Sequence, residues 1–554
     1  MVRPQDIDPV LATLDQRIRA ALAGAGLPVV DPIPLERPRH PEHGDWATPV
    51  ALGLAGDARL APRAVADRLV RHLDVPEVVG VVEVAGPGFV NFRLTHAYFE
   101  DVIRRILAAG DRYGRRTRPA HTVERVNVEF VSANPTGPLH VGNGRWAAAG
   151  DSIAALLEAD GHEVVREYYF NDAGSQMTRL GGSVLRAARG EPPAEQDYRG
   201  DYVRELGAEI VGTLGDAFLS GPNEHEVIER VAGVAGQRMI ERIRALLHRL
   251  GVDFDVWFSE RHLHERGDIQ ATVEALSRSG HTDHRDGALW LRTTAFGDDK
   301  DRVLIRSDGR PTYVAADCAY LRDKLRRGFD RLVYLVGADH HGWSETMSYV
   351  VHAFDVDPDA VEILVGQFVH LVRAGQPVRM SKRAGDYVTL DELVDEVGVD
   401  VARYHFLRAG LDQSIDFDLE AVVRQSMENP VFYVQYAHAR IASILRNADE
   451  SGFDHGHVDD AALDLLTEPT EEELLRRLAE FPEVVAEAAE LRAPHRMTRY
   501  AEDLAGSFHR FYTECRVLGV REDIGQARYW LAVAAKQVLV NALGLLRVPA
   551  PERM

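Results

Sequence analysis

Residues 126–170 alternate in a way that few folds accommodate. Val126, Val128 and Phe130 alternate with Asn127 and Glu129, which is the period of a strand. The stretch SANPTGPLHVGNGRWAA (132–148) follows, with two prolines and three glycines. Residues 147–160 then carry Ile153, Leu156 and Leu157 at helical spacing and stop at Gly161. A second strand-like run, HEVVREYYF (162–170), comes next. Strand, helix and strand in that order cross over right-handed, so the two strands are expected side by side and parallel in one sheet.

The same alternation returns further on. A helix with Arg322, Lys324, Arg326 and Arg327 is followed by a continuous apolar run, 332–336, that ends in GADHHGW (337–343). Between the two, residues 173 to about 290 read as a largely helical insertion with charged faces. Residues 78–94 read as two strands around a Pro-Gly turn. After about residue 430 the pattern is helical throughout, with Thr470 and Glu473 spaced as a capping box. The expected fold is α/β. A Rossmann-type parallel-sheet catalytic domain spans 111–425, a small α/β N-terminal domain 1–110, and an all-α bundle 426–554.

Composition narrows the class. Only Cys318 and Cys515 occur, which excludes a disulfide framework or a cysteine-rich zinc site, and no bound structural metal is expected. No apolar run is long enough for a membrane span, and the acidic start MVRPQDIDPVLATLDQ lacks the apolar core of a secretion signal. A cytoplasmic, membrane-free protein fits. The formal net charge of −22 argues against a nucleic-acid binder, because phosphate contacts dominate such affinity. The charge is uneven, however. Residues 449–490 hold 14 Asp/Glu against two Arg, whereas 491–554 hold ten Lys/Arg against six Asp/Glu.

Two stretches carry chemistry. A loop at the carboxyl end of a parallel strand, feeding a helix N-terminus, is an anion site. There Gly142 and Gly144 permit close approach, Pro135 and Pro138 stiffen the chain, and His140 can donate to phosphate oxygens. A rigid strand-to-helix turn with a satisfied histidine explains the same residues. In the second stretch, RAGQPVRMSKRAGDYVTL (373–390), Lys382 and Arg383 lie in a glycine- and proline-punctuated loop before a helix starting near Thr389. Such a loop can close over a polyphosphate and stabilise charge developing at phosphorus. A solvated surface loop is the other reading.

Together, HVGN (140–143) and RMSK (379–382) resemble the two signatures of class I aminoacyl-tRNA synthetases, His-Ile-Gly-His and Lys-Met-Ser-Lys, in the right order. The sequence is most similar to the bacterial arginyl-tRNA synthetases. VEFVSANPTGPLHVGNGRWAA, REYYFNDAGSQM, DFDVWFSE, GRPTYVAADCAY, GADHHGW, RMSKRAG and NPVFYVQYAHARI all look like that family, over nearly the whole chain.

The resemblance implies an enzyme that makes arginyl-adenylate from arginine and ATP, with Mg2+ accompanying ATP, then moves arginine to the terminal adenosine of its tRNA. It also implies a monomer. By family position, Ala133, Asn134, Pro135, Thr136, Gly137, Pro138, Leu139, His140, Val141, Gly142 and Asn143 form the first signature. His140 meets ATP phosphates, Gly142 leaves room for adenosine, and Lys382, shaped by Ser381 and Met380, neutralises the leaving pyrophosphate. Gly337, Asp339 and His341 lie near ATP, with His340 towards the amino acid. Asp317 meets the guanidinium and Tyr313 lines its pocket; their i, i+4 spacing puts both on one face if a helix begins there. Glu129, Ser132 and Asn134 hold the amino-acid end. His140, Asn143 and Lys382 are the expected catalytic set. The N-terminal domain, with HGDWATPVALGLAG (43–56), is implied to contact the outer corner of tRNA, and the final helices to bind the anticodon, with Tyr433, Tyr436 and Trp530 as rings that could stack on bases or pack in the core.

Asn143 departs from the usual second histidine. It can donate a hydrogen bond but carries no charge at any pH. A tRNA-binding paralogue without catalysis is the alternative it supports, while His140, Lys382, Tyr313 and Asp317 oppose that alternative. A nucleotidyltransferase on the same sheet is disfavoured by the long helical C-terminus, and a cysteinyl-tRNA synthetase by the missing zinc cysteines.

Overall fold

The computed structural model describes residues 3–38, 40–373, 375–378 and 388–554. The chain forms two compact units: Met1–Thr117 with Phe432–Leu545 and Pro549–Met554, and Arg118–Val431 with Leu546–Val548.

The first unit opens with α1 (Pro9–Gly24), capped by the Asp8 side chain, which accepts from the Val10 N–H. Strands β1 (Trp46–Thr48), β2 (Val79–Ala85) and β3 (Phe89–Leu94) make an antiparallel sheet in the order β1-β3-β2. The β2–β3 hairpin is the one the Pro-Gly turn predicts. Helices α2 (Val50–Ala58), α3 (Pro62–Val70) and α4 (His96–Ala109) complete this part. Three long helices, Pro469–Glu490, His495–Glu514 and Glu522–Leu545, belong to the same unit. Arg37 pairs with Glu483 at 2.7 Å, and the Tyr113 hydroxyl donates to the Leu478 carbonyl at 3.0 Å. The capping box differs from the expected one. Glu471, not Glu473, closes it by accepting from the Glu468 N–H at 2.9 Å, because Pro469 already starts the helix.

The second unit is built on β4 (Arg125–Phe130), α5 (Val141–Ala159) and β5 (Glu163–Phe170), the expected crossover. Helices α6 (Ser175–Ala188), α7 (Asp201–Leu214) and α8 (Glu224–Arg249) follow. The stretch 173–290 is not purely helical, because β6 (Val256–Ser259) returns to the parallel sheet. After α9 (Arg261–Glu265) and α10 (Asp268–Arg278), β7 (Thr282–Arg285), β8 (Ala288–Leu291) and β9 (Arg302–Ile305) make a small antiparallel sheet. Then come α11 (Tyr313–Arg326), β10 (Arg331–Gly337), α12 (His341–Val350) and β11 (Val361–Gly366). The five-stranded parallel sheet runs β11-β10-β4-β5-β6. The chain steps from β4 outward through β5 to β6, then crosses to the other side of β4. The switch point between β4 and β10 is therefore where a crevice opens at the strands' carboxyl ends.

Helix α5 starts at Val141, six residues before the expected position at Ala147, and is buried along almost its entire length. Its glycines are the reason the start is hard to read. A Cβ on Gly144 would stand 2.4 Å from Leu390, and one on Gly150 2.2 Å from Phe130, so these glycines serve close packing rather than a turn. Asp151 of α5 is 2% exposed and holds two arginines. Arg403, on α14 (Val399–Leu407) after α13 (Leu390–Val397), is fully buried and pairs with it at 2.7 Å; Arg166 pairs with it at 3.1 Å. The other Arg403 nitrogens donate to the carbonyls of Leu250 and Leu546. Among the described residues no helix is long and apolar enough to cross a membrane.

Removing Asp151 leaves Arg403 buried without its counter-charge. Asp151→Ala is expected to destabilise the unit by about 3–5 kcal/mol. Glu158→Ala, one to two turns along and partly exposed, is expected to cost at most about 1 kcal/mol. Chemical unfolding of the two variants checks this; equal losses would contradict it.

Candidate active site

Two polar residues inside β4 do not face water. Asn127 and Glu129 are buried, and each meets a partner far along the chain. Asn127 donates to Glu167 on β5 at 2.7 Å. Glu167 also takes the Tyr320 hydroxyl at 2.7 Å and two Arg327 nitrogens at 2.7 and 2.8 Å. Burial works to raise the Glu167 carboxyl, but Lys324, Arg327 and Tyr320 prevail and hold it below its ordinary value. Lys324, 0% exposed, pairs with Glu129 at 2.6 Å, and its ammonium lies 4.0 Å from the Tyr334 ring. Sequence reading missed this layer, since its partners lie 40 to 195 residues apart.

Beyond β4 the chain is strained. Val131 and Ser132 have φ of 68° and 42°, left-handed values that a β-branched residue rarely adopts. The kink lets Ser132 donate to Glu129 at 3.0 Å and accept from the Tyr169 N–H at 3.1 Å. Both Glu129 oxygens are thus engaged, by Ser132 and by Lys324. Ala133 is held by the Tyr168 hydroxyl through its N–H and its carbonyl. Asn134 accepts from the Asn171 N–H at 3.0 Å and donates to Gln176 at 3.1 Å, which accounts for the motif REYYFNDAGSQM.

His140 is the N-cap of α5. Its Nδ1 accepts from the Asn143 N–H at 3.3 Å, while the Asn143 Oδ1 accepts from the His140 N–H at 3.0 Å. This reciprocal box fixes the ring. With Nδ1 accepting, a neutral imidazole carries its proton on Nε2, a donor beside the positive end of the helix dipole. The Cβ that Gly142 lacks would stand 3.0 Å from the imidazole, so the space it leaves is taken first by His140 itself. Gly337 ends β10 across the switch point, and Gly366 ends β11; a Cβ on Gly366 would stand 2.0 Å from the Trp146 ring, which therefore lies under the strand ends. Asp339, His340 and His341 follow in exposed positions, with His340 Nε2 3.8 Å from Asp339.

A cavity of about 460 Å³ opens at Asn171, the residue whose N–H donates to Asn134. Its walls come from Asn171, Ala173 to Ser175, Glu260, Arg261, His264, Arg306 and the start of α11, including Tyr313 and Ala316. Helix α11 does begin at Tyr313, with the Thr312 side chain as its cap, so Tyr313 and Asp317 share one face. Tyr313 is 70% exposed, whereas Asp317 is half-buried. Burial pushes the Asp317 carboxyl up to about 7; the charges of Glu260 and Glu129 add to this, and a hydrogen bond from Trp343 opposes it. Glu260 accepts from the Tyr169 hydroxyl and stands 3.4 Å from His264. Among the described residues neither Glu260 nor Asp317 is paired with a lysine or arginine; Glu260 lines the cavity, whereas Asp317 follows the lining residue Ala316 and is not itself part of the wall. Glu260 closes the motif DFDVWFSE but lies 57 residues from Asp317, and periodicity cannot link them. His340 does not line this cavity. Met380, Ser381 and Lys382 lie outside the described residues. Of the proposed base-stacking rings, Tyr433 packs 4.8 Å from His509, Tyr436 stacks on Phe432 at 5.8 Å beneath Arg440, and the Trp530 indole donates to the His455 carbonyl.

Known proteins agree along the full chain. The family described as tRNA synthetases class I (R), catalytic domain, matches residues 102–194 and 229–425. The arginyl tRNA synthetase N terminal domain matches 12–94, and the DALR anticodon binding domain 434–554. The arginine–tRNA ligase of Kineococcus radiotolerans is 49% identical over 554 residues, covering 98% of this chain and 99% of that protein. That of Frankia alni is 47% identical over 559 residues and covers both chains completely. The solved structure of Thermus thermophilus arginyl-tRNA synthetase shares the fold with a TM-score of 0.77 at 24% identity, covering 98% of this chain and 100% of that one. With agreement running the length of both relatives and the three domain descriptions matched in order, this chain belongs to the arginyl-tRNA synthetases, class I ligases that join arginine to tRNA.

Proposed function

We propose that the pocket beside α11 holds the arginine guanidinium, with Glu260 and Asp317 as its acceptors and Tyr313 along its wall. The observation that carries this is the pair of carboxylates left without a lysine or arginine partner, whereas buried acids such as Glu129, Glu167 and Asp151 each have one. Guanidinium is the planar cation such acceptors suit. Glu129, through Ser132 and Asn134, shapes the loop at the amino-acid end.

ATP is the second substrate, and we place it at the switch point, entering as its Mg2+ complex. The His140 Nε2–H and the α5 N-terminus face its phosphates, with Gly142 and Asn143 behind them and Gly337, Asp339 and His341 across the crevice. His340 and the loop residues Met380, Ser381 and Lys382 keep the roles the signatures imply, Lys382 stabilising the leaving pyrophosphate. In the first step an arginine carboxylate oxygen bonds to the α-phosphorus, the bond to the bridging oxygen breaks, and pyrophosphate leaves. In the second, a terminal ribose hydroxyl of the tRNA attacks the acyl carbon and AMP leaves. The protein supplies position and charge rather than a nucleophile of its own. The segment 1–110 is proposed to contact the outer corner of tRNA, 111–425 to perform catalysis and 426–554 to read the anticodon. A monomer working in the cytoplasm fits this reading.

Purified protein with arginine, ATP, Mg2+ and tRNA is expected to form arginyl-tRNA. Asp317→Asn is expected to raise the arginine KM about 100-fold with the ATP KM little changed; a rise below about threefold would contradict the assignment. Asn143→Ala opens the capping box and is expected to lower kcat about tenfold and raise the ATP KM, while the arginine KM stays near wild type. Steady-state charging assays distinguish these outcomes.

A further inference from the structure

Residues 195–228 fall between the two stretches matched to the family's catalytic domain, yet they carry a contact to the signature loop. Tyr202, the second residue of α7, donates its phenolic hydrogen to the Thr136 carbonyl at 3.0 Å. The donor is held from behind. Arg186 grips Asp197 through bonds of 2.7 and 2.8 Å, and the Ser183 hydroxyl accepts from the Tyr198 N–H at 3.0 Å. The body of α7 packs on α6 so closely that a Cβ on Gly207 would stand 3.0 Å from the Ala188 nitrogen.

The loop needs such a grip. It is fastened at Asn134 by Asn171 and Gln176, at the Leu139 carbonyl by the Leu390 N–H at 2.9 Å, and at His140 by the box with Asn143. Between those points, Pro135 and Pro138 have no N–H to give, and Gly137 adds freedom. The Tyr202 bond falls in that interval. We propose that Tyr202 is a positioning residue for ATP. It fixes the loop at Thr136, ahead of the Leu139–Leu390 bond, and through it the start of α5, where His140 presents its proton to phosphate. The helical insertion is thereby a brace on the nucleotide site. This rests on the reading of His140 given above.

Tyr202→Phe removes the donor and keeps the ring. It is expected to lower kcat for arginyl-tRNA formation about fivefold and to raise the ATP KM, with the arginine KM within about twofold of wild type. The melting temperature is expected to hold, which separates positioning from folding. Tyr198→Phe, a neighbour whose ring lies over Arg179 rather than on the loop, is the control and is expected to match wild type. A Tyr202→Phe protein equal to wild type in kcat and ATP KM would overturn the inference, as would an equal rise in both KM values. If instead Asn143→Ala leaves the ATP KM and kcat unchanged, the reading of His140 fails; which variant is silent tells the two failures apart.

Discussion

Four carboxylates, Glu129, Glu167, Glu260 and Asp317, gather at the carboxyl edge of one parallel sheet, and the site depends on which of them are neutralised. Lys324 answers Glu129, and Arg327 answers Glu167. Lys324 lies on α11, and Arg327 is the residue that caps its C-terminal end. That helix presents Tyr313, Asp317, Tyr320 and Lys324 at helical spacing, so one face carries pocket residues at its N-terminal end and the network's hydroxyl and ammonium further along. A single helix thus satisfies the sheet's buried acids and leaves two others unanswered. Unpaired buried acid is costly, and its persistence here is what a cation-binding pocket requires.

The signature loop obeys a related logic. Its prolines and glycines do not make it loose. Strain at Val131 and Ser132 turns the chain, Asn134 and Ala133 tie it to β5 and α6, and the His140–Asn143 box hands it to α5. Asn143, the departure from the usual signature, has a defined task in this arrangement. Its carboxamide oxygen accepts from the His140 N–H, while its backbone N–H donates to Nδ1 and so leaves the proton of a neutral imidazole on Nε2. A charged residue is not needed for it.

Much of this was legible in sequence. The crossover, the β2–β3 hairpin and the shared face of Tyr313 and Asp317 follow from local periodicity. The early start of α5 did not, because glycines at 142 and 144 read as turn residues when their reason is contact with His140 and Leu390. Asn127 and Glu129 read only as the alternate positions of a strand, and periodicity does not show that they are buried against residues on β5 and α11. Glu260 and Tyr202 were silent for the same reason: each acts on a segment dozens of residues away, and only the folded chain brings them to the site.

The unanswered acid also sets the most direct test. With its carboxyl pushed up to about 7, Asp317 keeps a proton well above the usual carboxylate range in the free enzyme. The folded state holds that proton to higher pH than the unfolded chain, so the site gives up stability as pH rises from about 4 to 7. A guanidinium favours the ionised form, so arginine expels the proton and its affinity falls as pH drops below about 7. Calorimetric titration of the full chain with arginine, in buffers of different ionisation enthalpy, measures this directly. The account predicts net release of protons on arginine binding at pH 7, with the release shrinking as the pH is raised towards 8. Arginine binding at pH 7 with no proton released would contradict it.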